Sequence, residues 1–208
     1  MYLFSRNAIA APGKVFEAMA AAVEIGQKAS AASGLDVQTW NHRFGQPIGS
    51  ISWTCRVDSH AEFAAGSEKM VADAGYVEMQ QAMSDLIVAG EGDAMLSMVA
   101  GVPPETPAKY YTTTRASIAE GKIGEAIPWC VEITDYLLTS VGRSGAFFTS
   151  AYGGFSDVAW LIGHDSIEQV DELAAWQASD SEYVGRVDSG GHLFQPGSGH
   201  NGLVERLG

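Results

Sequence analysis

The residues best suited to chemistry lie on one strand-like run, DVAWLIGH, Asp157 to His164. Alternation places Val158, Trp160, Ile162 and His164 on one face. A histidine set among large apolar neighbours, with its pKa near neutrality, could take a proton from a phenol or an enol, as a general base must. The plainer reading is a strand-end imidazole that bonds a neighbouring carbonyl or Asp165. An earlier run, IGSISWTCRV, alternates in the same way: Ile51, Trp53, Cys55 and Val57 face one side, Ser50, Ser52, Thr54 and Arg56 the other. Trp53 and Trp160 thus hold equivalent places, where they could wall a flat ligand or simply fill a core. Trp40, Asn41, His42 and Arg43 form a polar-aromatic strand end that the later copy, reading FTSA, does not reproduce.

Other chemistries find little support. His42, His60, His164, His192 and His200 show no HxH or HxxxH spacing, so no metal site is expected. GSGHNG lacks the lysine of a phosphate loop and reads as a turn. There is no GxSxG elbow, no cysteine beside a histidine partner and no dinucleotide fingerprint, so no cofactor is expected. Cys55 and Cys130 form no CxxC pair and read as buried, reduced thiols of a cytoplasmic protein. Hydrophobic content of 46% and charged content of 18% fit an ordinary globular chain. A net charge of −13 disfavours nucleic acid and anionic membrane surfaces. Apolar runs break well before the roughly 18 residues of a membrane span, and MYLFSRNAIAAPGK shows no signal-peptide pattern, so no membrane insertion is expected.

The elements that must position these side chains occur twice. GKVFEAMAAAVEI, Gly13 to Ile25, returns as GKIGEAIPWCVEI, Gly121 to Ile133, with seven of thirteen positions identical. DSHAEF at Asp58 is answered by DSIEQV at Asp165, Tyr76 by Tyr183, and Gly90 by Gly197. The pattern predicts two repeats, 1–100 and 109–208, joined by a proline-rich linker, 101–108. Each reads strand, helix, strand, strand, two-piece helix, strand, with Pro12 in the first turn of its opening helix and Pro128 interrupting the second copy of it. Ser59 with Glu62, and Ser166 with Gln169, read as capping boxes. The fold expected is α+β: two tandem ferredoxin-like repeats packed sheet to sheet as a pseudo-dimeric barrel.

On this pattern the whole chain resembles the dimeric α+β barrel superfamily in tandem-fused form, which includes antibiotic-biosynthesis-type and haem-degrading monooxygenases, NIPSNAP-like and stress-responsive barrel proteins. The resemblance implies a pocket for a small aromatic or apolar molecule between sheet and helices. The haem-degrading branch uses an Asn on the first strand, a Trp near the end of the third, and a His on the second helical segment. Asn7 fits the first place, but Val57 stands at the second and no His occurs from Ala61 to Met83. In the second copy Arg115 and His164 replace the first two and the third is again missing, which argues against haem degradation.

The resulting expectation is a small-molecule binder, acting as a cofactor-independent monooxygenase or isomerase. His164 would be its base, Trp53 and Trp160 its walls, and Asn7, His42 and Arg115 its polar anchors. The alternative is a non-catalytic stress-related or assembly protein whose barrel is filled by its own side chains. Homo-oligomerisation is expected in either case.

Overall fold

The repeated Gly-Lys-x-x-Glu is a helix start. In the computed structural model, which describes the backbone of residues 1–208 and every side chain except those of Ala89 and Glu91, Gly13 and Gly121 take φ of +78° and +74°. Only glycine adopts that conformation cheaply. Lys14 and Lys122 follow as N-cap residues, and their ammonium groups pair with Glu17 and Glu125 at 2.9 and 3.0 Å. The helices that begin there, α1 (Val15–Ser33) and α4 (Ile123–Val141), end at Gly34 and Gly142, again left-handed. Pro12 lies in the turn before α1, not in its first turn as expected, and α4 continues through Pro128.

The remaining elements follow the expected order. The first copy supplies β1 (Tyr2–Ala10), β2 (Val37–Phe44), β3 (Ser50–Val57), α2 (His60–Ala72), α3 (Ala74–Met83) and β4 (Ile87–Val102). The second supplies β5 (Tyr110–Ser117), β6 (Gly145–Tyr152), β7 (Asp157–His164), α5 (Ile167–Ser179), α6 (Ser181–Gly190) and β8 (His200–Leu207). The strands hydrogen-bond in the order β1-β3-β2-β8-β5-β7-β6-β4 and the sheet closes as a barrel. The chain therefore has the α+β, tandem ferredoxin-like barrel fold. Two compact units can be distinguished, unit 1 with Met1–Leu96 and Glu205–Gly208, unit 2 with Ser97–Val204. Among the described residues, no helix is long and apolar enough to cross a membrane.

Aspartates break the outer helix of each unit at the same place. Asp73 accepts the Tyr76 N–H at 2.8 Å to start α3, and Lys28 of α1 pairs with it at 2.9 Å. Asp180 accepts the Tyr183 N–H at 2.7 Å to start α6, and Tyr136 of α4 donates to it at 2.9 Å. The Ser59 capping box forms: its hydroxyl accepts the Glu62 N–H at 3.1 Å, and the Glu62 carboxylate accepts the Asp58 N–H. Ser166 departs from expectation. Gln169 accepts the Asp165 N–H at 2.9 Å, but the Ser166 hydroxyl caps no helical N–H; it bonds the Glu168 carboxylate and holds its pKa down.

Candidate functional site

Strand register decides which side chains meet beneath the helices of unit 1. Phe4 pairs with Cys55, Arg6 with Trp53 and Ala8 with Ile51 across β1 and β3; Thr39 pairs with Trp53 across β2 and β3. Paired residues share a face, and this face lies against α1. The Trp53 indole N–H donates to the Ala22 carbonyl oxygen at 2.9 Å, and Thr39 Oγ1 donates to the same oxygen at 3.4 Å. Gly26 leaves room for the contact, since a Cβ there would collide with Thr39 Oγ1.

Between this face and the helices lies a cavity of about 630 Å³, within the ordinary range of small-molecule pockets. Phe4, Trp53 and Cys55 form its sheet wall, and Ile25 and Ala29 of α1 its back. Phe63 and Met70 of α2, with Tyr76 and Met83 of α3, cover it. Phe4 and Phe63 stack with centroids 4.5 Å apart. Burial pushes the Cys55 thiol up to about 11, with help from Glu62 and Asp36, so it stays protonated and unreactive near neutrality.

Two charged side chains give the cavity its electrostatics. Arg6 donates from Nε and Nη2 to the two carboxylate oxygens of Asp93 at 2.8 and 2.6 Å. Both side chains are a little under half exposed, which puts the pair at the mouth. The hydrogen bonds to Asp93 push the Arg6 pKa further up, and its guanidinium lies 5.8 Å from the Phe4 ring centroid. Asn7 also borders the cavity, but it pairs with Ser52 across β1 and β3, so its side chain lies on the opposite face of the sheet from Arg6.

Sequence reasoning missed Arg6 and Asp93. They are 87 residues apart, and neither belongs to a motif. The signal was present in part: Arg6 alternates with Phe4 and Ala8 on an apolar strand face, where a charge needs a partner.

Of the candidate residues, Trp53 lines this cavity with its side chain, and Asn7 borders it from a strand position whose side chain faces the other way. His42 lies on the other side of the sheet, because Trp40 pairs with Ser52 while Thr39 pairs with Trp53; its Nε2 is 3.0 Å from Ser52 Oγ. Trp160, Arg115 and His164 belong to unit 2 and contribute nothing to the lining. Arg115 is exposed on β5. The Trp160 indole N–H donates to Thr134 Oγ1 at 3.0 Å, and its ring meets Phe147 at 5.1 Å. His164 is 1% exposed, with Nε2 at 3.1 Å from Thr112 Oγ1. Burial, reinforced by nearby Arg143, lowers its pKa to about 4, so the ring is neutral at pH 7. Among the described residues, no group of three His, Cys, Asp or Glu could hold a metal ion.

Unit 2 carries bulkier residues where unit 1 is hollow. Of the positions that line the cavity, Ala29 is replaced by Leu137 and Cys55 by Ile162; outside the lining, Thr134 replaces Gly26 and Phe147 replaces Thr39. Phe147 is fully buried and Leu137 nearly so.

No family model and no curated protein matches the sequence. Solved structures do match in fold. A protein named "putative monooxygenase" from Fusobacterium nucleatum superposes with a TM-score of 0.74 at 8% identity, over 100% of this chain and 92% of its own. Another of that name from Lactobacillus acidophilus gives 0.66 at 9% identity, over 99% and 93%. An anthrone oxidase-like protein gives 0.65 at 13% identity, over 100% and 92%. At such identities the likeness concerns the fold alone.

Proposed function

Taking the chain as a tandem-fused α+β barrel of the ferredoxin-like type, we propose that it binds one small, uncharged aromatic or apolar molecule in the cavity of unit 1. The observation that carries this reading is the cavity itself: about 630 Å³, apolar on most sides, with aromatic rings on both sheet and helix walls. A protein filled by its own side chains would leave no space above the roughly 300 Å³ a ligand needs. Trp53 presents the flat wall. His164 has no part in this binding step, since it is buried in unit 2 with its ring neutral.

The names of the structural neighbours make oxygen chemistry the activity to assay first. The reading is that a bound, electron-rich aromatic reacts with oxygen in this cavity, as in a cofactor-independent monooxygenase. Equilibrium dialysis against a panel of uncharged bicyclic aromatics and quinols, followed by oxygen uptake with those retained, tests both steps. Retention at one equivalent per chain supports the binding site. Failure to retain any of the panel overturns it, and retention without oxygen uptake leaves a binding protein.

A further inference from the structure

We infer that Arg6 and Asp93 form a specificity-determining pair that selects an uncharged ligand through a hydroxyl group and rejects its anionic counterpart. The inference rests on the binding reading above. Among the described lining residues, Arg6 and Asp93 are the only ones that carry a formal charge at neutral pH. Held face to face at 2.8 and 2.6 Å, they cancel.

The pair is not saturated. A guanidinium has five N–H donors, of which Asp93 takes two; an ionised carboxylate has about four acceptor positions, of which Arg6 takes two. Donor and acceptor therefore stand side by side at the mouth, next to the Phe4 ring. A hydroxyl can accept from one and donate to the other. A carboxylate or phosphate gains from Arg6 but meets the like charge of Asp93, and a cationic amine meets the reverse. An ether matches only the donor.

A role in folding does not explain the pair. Both partners are too exposed for the ion pair to add much stability. Nor does it follow from the repeat. At the place of Arg6, unit 2 has Thr114, whose hydroxyl donates to Asn201 Oδ1 at 2.9 Å. The charged pair thus occurs in the unit whose corresponding positions are small enough to leave a cavity.

Three probes of one size separate the possibilities: 2-naphthol, 2-methoxynaphthalene and 2-naphthoate, titrated calorimetrically into the full chain. The expected order is naphthol first, by about tenfold over the ether, as suits a hydrogen bond to a charged group, with naphthoate weakest. In Asp93→Asn the guanidinium is left unmatched, so naphthoate should gain affinity and the preference for naphthol over the ether should shrink. Arg6→Gln should remove that preference without the gain for naphthoate. Circular dichroism melts establish that each variant is folded, and the wild-type ranking stands as a test if one is not. Equal binding of naphthol and its methyl ether, or tightest binding of naphthoate, overturns the inference while leaving the binding site intact. Failure of all three to bind instead counts against the proposed function.

Discussion

Trp160 donates its indole N–H to Thr134 Oγ1 across 3.0 Å, and Thr134 passes the bond on to the carbonyl oxygen of Cys130 at 2.6 Å. In unit 1 the corresponding indole, Trp53, reaches the corresponding carbonyl, that of Ala22, directly at 2.9 Å. The two units meet one requirement, a partner for a half-buried indole, with threonine placed differently. It stands on the strand as Thr39 in unit 1 and on the helix as Thr134 in unit 2. Thr134→Val keeps the shape but strips the relay. We expect a loss of about 1–3 kcal/mol in urea unfolding, the usual cost of an unsatisfied buried donor.

Gly26 is the other half of that exchange. Gly26→Ala should destabilise the chain by about 1–3 kcal/mol through overpacking against Thr39 Oγ1. In a Thr39→Ala background the added methyl has room. The two substitutions should therefore couple by about 0.5 kcal/mol or more in a double-mutant cycle. Strict additivity would show that helix and strand do not meet as described.

His164 makes stability depend on pH. Its folded pKa of about 4 lies below the ordinary 6.5, so the unfolded chain takes up the proton first. The contribution of the neutral ring is complete above about pH 6.5 and is lost as pH falls towards 4, by about 3 kcal/mol in full. His164→Val installs the residue found at the matching position, Val57, and should flatten the difference in unfolding free energy between about pH 7 and about pH 4.5. An unchanged pH dependence would show that His164 is not buried neutral.

Capping separates the two serines that look alike in sequence. Ser59→Ala should cost about 1 kcal/mol, because its hydroxyl holds the Glu62 N–H. Ser166→Ala should cost clearly less, since that hydroxyl caps no backbone group. Thermal melts of the two variants side by side give the comparison.

Much of the fold was legible because its signals are local. Gly-Lys-x-x-Glu marks a left-handed turn and an ion-paired helix start, and the alternation around Trp53 and Trp160 fixes a strand face from within eight residues. The Ser166 misreading shows the limit of such signals: Glu168, two residues on, competes for the hydroxyl. The site was less legible because it depends on register and volume. Trp53 could be singled out as a wall, but only strand pairing sets Arg6 beside it, and only the return of β4 brings Asp93 to Arg6. His164 stood out by its apolar strand neighbours, yet it is buried, with Nε2 against Thr112 Oγ1. The hollow in unit 1 is lined by Ala29 and Cys55, small where unit 2 has Leu137 and Ile162, which neither residue announces alone.

Ala29 offers the most direct test of the central claim, that unit 1 holds the ligand. Its counterpart in unit 2 is Leu137, so Ala29→Leu introduces a side chain that this architecture already accommodates, and here it would project into the cavity. Calorimetric titration with 2-naphthol should show one site per chain in the wild type and at least about tenfold weaker binding in the variant, with the melting temperature maintained. Undiminished binding in folded Ala29→Leu would contradict the account, because the ligand would then be held somewhere else.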